Sequence, residues 1–249
     1  MLRKLLLSSV AATAMVGSAL AADLPYRKAP PPVVPVVPLF TWTGFYVGVD
    51  GGYGWENIRE TGIIGGLPAY QLSYRANGPV GGGHAGFNWQ VNQFVFGFEG
   101  DVLGTSMRVT APLNTFLFAN TVWQTGVTGS VRGRIGWAWD RFLVFGTGGV
   151  AFEDFRLREN FIGVGPGFLG ETFHTTRAGF TVGGGVEYAV TNNWLLRAEY
   201  RYSDYGTFNN ASVLVPGLFY RSRVQDSRVT GGISYKFDYA APAPVVARY

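Results

Sequence analysis

The chain has 249 residues, of which 47% are apolar, 16% aromatic and only 14% charged. It contains no cysteine, which excludes disulfides and thiolate metal sites. The formal net charge is only +4, too small to indicate a nucleic-acid-binding face, so we predict no nucleic-acid partner.

The first 21 residues have the three parts of a bacterial export signal. Arg3 and Lys4 are basic, residues 5–16 are apolar, and Ala19-Leu20-Ala21 is a small-x-small cleavage site. A transmembrane helix is the alternative, but it needs about 20 apolar residues. We therefore predict a signal peptide over residues 1–21.

The segment after the signal is rich in proline. Residues 22–41 contain prolines at positions 25, 30, 31, 32, 35 and 38. Such a composition favours an extended chain without a core of its own. We predict a periplasmic spacer over residues 22–41 and a second tail, rich in Ala, Pro and Val, over residues 238–249.

Between the tails, residues 42–237 contain eight segments in which apolar or aromatic residues alternate with polar or charged ones. A period of two is typical of β-strands. A soluble β-sandwich also alternates, but a file of charges on one face, behind an export signal, favours a closed barrel in a membrane. We predict an all-β fold, an eight-stranded antiparallel transmembrane β-barrel.

The connections between these segments alternate in length. Residues 92–93, 140–141 and 191–193 are short turns, whereas the connections near residues 57–78, 105–120, 156–174 and 206–222 are long. Short periplasmic turns and long extracellular loops are typical of outer-membrane barrels. This pattern predicts that both tails lie in the periplasm.

The charged face of the segments is expected to point into the barrel. Eight strands leave an interior just wide enough for side chains, and an unpaired buried ion is costly. We expect opposite charges to pair in a structural plug; the alternative is a gate that repacks to pass small ions. The expected interior ion network is Glu99, Asp101, Arg132, Arg134, Glu187, Arg197, Glu199 and Arg201, and the same parity is shared by Glu153, Arg177, Arg228 and Lys236.

No residue pattern indicates an enzyme. The chain has two histidines, His84 and His174, and an inward His84 is expected to be a hydrogen-bonded filler rather than a metal ligand or a triad member. Carboxylates lie among arginines rather than in an acid/base pair. We predict no catalytic residue, no metal and no cofactor, and no cofactor-binding residue can be named.

The long connections are unusually apolar at residues 63–68, 116–118, 161–164 and 213–220. Loops that pack on one another above the rim would explain this composition. The alternative is a surface that captures a hydrophobic ligand or a partner.

Two motifs resemble a known family. Residues 40–48, Phe-Thr-Trp-Thr-Gly-Phe-Tyr-Val-Gly, resemble the entry strand of alphaproteobacterial outer-membrane immunogenic (surface-antigen) proteins, which are OmpA-like porin-family barrels. Thr230-x-Gly232-x-x-Tyr235-x-Phe237 resembles the closing-strand signal read by the barrel assembly machinery, with 12 residues following it here.

The resemblance implies a protein of the cell outer membrane that contacts lipid and lipopolysaccharide. It implies a non-enzymatic structural role in envelope integrity, with surface-exposed loops. Some members of the family bind haemin, and peptidoglycan is a further candidate partner, but no residue of this chain can be assigned to either. A wide porin is disfavoured by the strand count, and a small-solute porin stays the less favoured alternative.

Overall fold

The computed structural model describes residues 40–110, 119–161, 169–212 and 215–237. The predicted signal peptide, the tail and nearly all of the spacer lie outside these residues. No helix in the described ranges is long and apolar enough to cross a membrane. The described residues form nine β-segments: β1 Gly44–Ile64, β2 Leu67–Val91, β3 Phe94–Thr105, β4 Arg108–Thr110, β5 Ala119–Trp139, β6 Phe142–Phe161, β7 Leu169–Ala189, β8 Trp194–Ala211 and β9 Leu218–Lys236.

The sheet is antiparallel and closed. β1 pairs with β2 along one edge and with β9 along the other, so no edge strand remains. β4 continues β3 after a break at Ser106 and Met107 and pairs with β2 and β5. The nine segments therefore make eight passes, and the predicted eight-stranded antiparallel barrel is confirmed.

The strands are longer than the sequence pattern predicted. Residues 57–78 are not a loop, because β1 and β2 continue to a two-residue turn at Gly65 and Gly66. Both glycines have positive φ (61° and 82°), as a type I′ hairpin turn requires. Residues 206–222 likewise extend β8 and β9 on either side of a short connection.

The other two predicted loops also contain strand residues. β6 continues to Phe161 and β7 begins at Leu169, while β4 and the start of β5 occupy both ends of residues 105–120. Apolar residues 116–118, 162–164 and 213–214 lie outside the described residues. The long-loop prediction was wrong for residues 57–78 and for the strand residues at the ends of the other three stretches. There the strands continue above the belt, with apolar residues facing the lumen and polar residues facing out.

An apolar belt surrounds the half of the barrel nearest the short turns. On β1 it runs from Phe45 (46% exposed) to Tyr53 (49%) and Trp55, which matches the about 9–11 residues that a tilted strand needs to cross a bilayer. Aromatic side chains gather at the short-turn edge, as in the interface girdles of membrane barrels. They include Trp89, Phe94, Trp137, Trp139, Phe142, Tyr188 and Trp194.

The barrel is taller than this belt. β1 has 21 residues, a length of about 70 Å at about 3.3 Å per residue. A tilt of roughly 40° gives a height of about 50 Å, twice the roughly 25 Å of an apolar band. We call the half inside the belt the lower barrel and the half beyond it the upper barrel. The turns at residues 92–93, 140–141 and 191–193 lie at the foot of the lower barrel, and we predict that this end faces the periplasm.

The lumen of the upper barrel is filled by an apolar core, whereas the lumen of a wide porin is filled with water. Trp123 and Phe155 lie at its centre, with ring centroids 5.4 Å apart, while outward neighbours such as Asn57 and Arg59 are exposed. The buried members of this core are Ile58, Ala76, Val80, Met107, Trp123, Ala151, Phe155, Leu157, Tyr205, Phe208 and Val224.

Candidate functional site: the filled lumen

The floor of the lumen is closed by Trp42, which precedes β1. Its side chain is fully buried, and its indole Nε1 donates a hydrogen bond to the backbone oxygen of Asp140 over 3.0 Å. Phe40 packs edge-on against it at 5.2 Å between ring centroids. The side chains of Arg141 and Lys236 lie over the Phe40 ring. The chain therefore enters the barrel by sealing the short-turn end of the lumen.

Arg132 on β5 is the centre of the charged layer above this floor. Its guanidinium contacts Glu99 at 2.5 Å and Asp101 at 3.1 Å, and it also forms an ion pair with Glu199. A planar guanidinium with five donors suits several carboxylates at once. Thr147 accepts a further hydrogen bond from it at 3.1 Å.

Two arginines on β8 complete the same layer. Arg197 donates to both carboxylate oxygens of Glu99, over 2.9 and 3.2 Å, and to Glu199 over 2.6 Å. Arg201 contacts Asp101 at 3.0 Å and Glu199 at 3.3 Å. Each carboxylate in this layer is therefore shared between arginines of different strands, which ties β3, β5 and β8 across the lumen.

Arg134 links the charged layer to the floor. It lies 2.9 Å from Glu187 and donates to the Tyr46 hydroxyl over 2.7 Å, while that hydroxyl donates to Glu99 over 2.7 Å. Its guanidinium also lies 4.4 Å from the centroid of Phe145, a residue of the apolar floor. A cation over an aromatic face is favourable, and more so without water.

The structure brings all eight residues of the expected network into one layer, each at most 5% exposed. Four are acids and four are arginines, so the layer is formally neutral. The other residues of that parity lie elsewhere: Lys236 at the floor, Glu153 and Arg228 higher up, and the half-buried Arg177 over the ring of Phe208 at 4.8 Å.

A second charged layer separates this network from the apolar core. Asp226 forms an ion pair with Arg228, and Glu153 is buried beside them. Glu56 accepts hydrogen bonds from Trp123 (3.0 Å) and Thr125 (2.6 Å). Sequence reasoning missed Glu56 and Asp226, because both lie in or at the edge of stretches assigned to loops; their parity with Tyr46 and Arg228 was the available signal.

His84 is buried in the lumen, and both of its ring nitrogens contact polar side chains. Its Nδ1 lies 2.6 Å from Asp50 and its Nε2 lies 2.8 Å from the Ser234 hydroxyl. The order Asp–His–Ser resembles a nucleophilic triad. However, Ser234 is 2% exposed and faces a filled lumen, so no substrate can reach it. The arrangement fits the hydrogen-bonded filler expected of His84.

Gly48 makes room for that histidine. A Cβ at this position would lie 2.6 Å from the His84 ring and 2.6 Å from the backbone oxygen of Ile233. Any side chain there would force the ring away from Asp50.

Within the described ranges, no group of three His, Cys, Asp or Glu residues is arranged to hold a metal ion.

One carboxyl lies higher still, in the extramembrane part of the lumen. Glu60 is 1% exposed and accepts hydrogen bonds from the hydroxyls of Tyr74 (2.9 Å) and Tyr70 (3.2 Å). Burial raises the pKa of Glu60, and the two tyrosine hydroxyls oppose that rise only in part.

Comparison with known proteins agrees with this geometry. Residues 9–237 match the family model of the outer membrane protein beta-barrel domain. The chain belongs to this outer-membrane β-barrel family. Like its relatives it is a protein of the outer membrane.

Two relatives in this family are named as outer-membrane proteins of alphaproteobacteria. The 31 kDa outer-membrane immunogenic protein of Brucella melitensis is 34% identical, over 95% of this chain and all of that protein. The 22 kDa outer membrane protein of Rhizobium leguminosarum bv. viciae is 34% identical over 82% of both chains. Neither name denotes an enzyme.

A solved structure shows the same fold at low sequence identity. The outer membrane protein OprG of Pseudomonas aeruginosa superposes with a TM-score of 0.54 at 12% identity, over 80% of this chain and 99% of that one. The likeness therefore concerns the barrel and not the filling of its lumen.

Proposed function

We propose that this member of the family is a non-enzymatic, closed barrel with a structural role in the outer membrane and a surface-exposed upper half. The supporting observation is the filled lumen, in which Trp42, the eight-residue ion network and the apolar core around Trp123 follow one another from floor to rim. A barrel so filled offers no water path.

Residues 1–21 would direct export, and residues 22–41 would form a periplasmic spacer that has the length to approach peptidoglycan. The closing strand ending at Phe237 would be read by the barrel assembly machinery. Outer-membrane lipid is the partner that the apolar belt supports most directly, since its outward side chains, such as Val49 (60% exposed) and Val131 (65%), have no protein neighbour to cover them.

The closed lumen is tested by conductance. The folded barrel, recognised by its altered gel mobility without heating, is reconstituted in a planar bilayer beside a wide porin. We expect no steady conductance for this chain. A steady current of several nanosiemens per barrel would show that the lumen repacks into a channel, and the structural proposal would have to be abandoned in favour of a porin.

A second candidate function is capture of haemin or of a host surface by the extracellular rim. The observation that favours it is an apolar tip, where Ile64 (37% exposed), Leu67 (73%) and Phe219 (48%) lie on adjoining strands. Exposed apolar patches at a rim commonly mark binding sites.

The two candidates are separated by one double variant, Leu67→Ser with Phe219→Ser. Haemin titration by the Soret band would lose its signal in this variant if the tip binds haemin. Expression of the same variant in a deletion strain would still restore resistance to detergent and EDTA if the role is structural. Unchanged haemin binding would remove the tip from consideration.

A further inference from the structure

The outer face of the upper barrel is strongly basic. Its arginines all point away from the lumen, and each is exposed. The acids on the described part of this face, Asp154 and Asp204, are less exposed, and each contacts an arginine. The exposed arginines are Arg59, Arg75, Arg108, Arg156, Arg158, Arg221 and Arg223.

Part of this face carries a row of polar and basic side chains across four strands. In register, Arg108 of β4 faces Gln124 of β5, Gln124 faces Arg156 of β6, and Arg156 faces His174 of β7. Arg158 lies two residues further along β6, on the same face. We call Arg108, Arg156, Arg158 and His174 the arginine ladder.

The ladder lines a cleft. A depression of about 350 Å³ is bounded by its four members together with Val122, Gln124 and Thr172. Among the described residues, the one ion pair that reaches the ladder joins Arg156 to Asp154 at 3.7 Å, with the arginine side chain 55% exposed. Arg108 and Arg158 form no ion pair with any residue whose side chain the structure describes, a set that leaves out residues 159–161 and 169–171.

This arrangement leaves exposed positive charge that an external anion can pair with. Arg156 and Arg158 lie two residues apart on one face of β6, and Arg108 lies two strands away. By contrast, the same chain pairs every arginine of its interior network with carboxylates. Arginine is also the side chain that binds phosphate with two parallel hydrogen bonds. The ladder therefore has the composition of a phosphate site.

The height of the ladder identifies the source of the phosphate. Arg156 lies four residues beyond Phe152, an outward residue that is 46% exposed. Four residues extend about 13 Å along a strand, or roughly 10 Å in height at a tilt of roughly 40°. That level lies just outside the hydrocarbon, where the outer leaflet carries the phosphorylated sugars of lipopolysaccharide.

We propose that the arginine ladder binds the phosphate groups of a lipopolysaccharide molecule whose acyl chains lie on the apolar belt below it. The inference rests on the function proposed above only in placing the upper barrel just outside the outer leaflet. Belt and ladder are continuous on β6, where Val150 and Phe152 are followed on the same face by Asp154, Arg156 and Arg158. One lipid can therefore contact both.

The test is binding of bisphosphorylated lipid A to the folded, full-length protein in detergent, followed by native mass spectrometry. The variant is Arg108→Gln, Arg156→Gln, Arg158→Gln. Because all three side chains are exposed, the variant should keep the gel mobility of a folded barrel. We expect at least tenfold weaker binding by the variant, and weak binding of dephosphorylated lipid A by both proteins.

Two controls locate the site. The pair Arg59→Gln, Arg223→Gln removes arginines from the opposite side of the barrel and should leave most of the affinity. The variant Arg108→Lys, Arg156→Lys, Arg158→Lys keeps the charge but loses the bidentate geometry. Its affinity for lipid A should lie between those of the wild type and the glutamine variant.

Equal binding by wild type and the ladder variant would overturn the proposal, as would complete displacement of lipid A by millimolar pyrophosphate, which would indicate a site for a free anion. Either result would leave the conductance and envelope phenotype untouched, so the ladder can fail while the structural function stands.

Discussion

The lower and upper halves of this barrel use the same strands in opposite ways. On β6 of the lower barrel, Val150 faces out while Thr147 faces in; a few residues higher, Arg156 faces out while Phe155 faces in. The direction in which each residue points hardly changes, but the solvent outside changes from lipid to water. Alternation therefore states which residues share a face, and the surroundings decide which face must be apolar.

The two halves are also held together by different forces. In the lower barrel the outward apolar face gains little from burial against lipid, so paired charges and hydrogen bonds across the lumen provide the cohesion. In the upper barrel an ordinary hydrophobic core does so. Substitutions at matched positions should separate these contributions.

Two substitutions share the largest expected effect, and the first is Arg132→Met in the lower barrel. The change removes the guanidinium that pairs with Glu99, Asp101 and Glu199. Removing one partner of a buried ion pair lowers the free energy of unfolding by about 3–5 kcal/mol. Urea unfolding in lipid vesicles, followed by tryptophan fluorescence, measures it. Val131→Ala, the lipid-facing neighbour, should cost far less; equal losses at the two positions would mean that the network does not stabilise the lower barrel.

In the upper barrel the corresponding substitution removes an apolar side chain from the core. Phe155→Ala removes a ring that packs between Trp123, Tyr205 and Phe208, and such deletions cost about 3–5 kcal/mol. The unfolding midpoint should fall at every salt concentration, since no charge is involved. Arg156→Ala on the outer face of the same strand should change stability by less than about 0.5 kcal/mol.

The boundary between the halves can be measured by adding a charge to the outer face. Val131→Arg places a cation in the apolar belt and should cost about 2–4 kcal/mol. Gln71→Arg on the outer face of the upper barrel should have an effect within about 0.5 kcal/mol. If both variants were equally stable, the membrane would not end where the apolar belt ends.

The smallest effect is expected from Glu60→Gln, and it depends on pH. Burial raises the pKa of Glu60 in the folded barrel, so ionisation destabilises the fold once the pH exceeds the unfolded value of about 4.3. The variant should be more stable than wild type at pH 8, and this gain should vanish by about pH 4. A gain that is equal at both pH values would exclude the carboxyl charge as its cause.

Much of the lower barrel could be predicted from the chain. The parity of residues such as Val131 and Arg132 assigned lipid-facing and lumen-facing sides, and the eight members of the ion network were named because ions cannot face lipid unpaired. The upper barrel could not be predicted in this way. Its strands carry apolar residues on the inner face and polar residues on the outer face. In the sequence, such stretches could not be distinguished from long loops that contain apolar residues.

Irregular pairing also hid part of the site. A register shift between Thr125 and Thr128 on β5 and another between Asp204 and Thr207 on β8 change the parity of the inward residues, so Trp123 and Phe208 could not be assigned by counting in twos. Such bulges depend on the partner strand rather than on a local signal.

The sequence by itself determined the β-class, the membrane-facing side of each lower strand and the charged filling, because a period of two and the cost of charge in lipid act locally. Only the tertiary structure decided which acid meets which arginine, how far the strands rise above the membrane, and that Arg108, Arg156, Arg158 and His174 form one ladder. These are relations between distant strands, which are fixed when the sheet closes and sets its register.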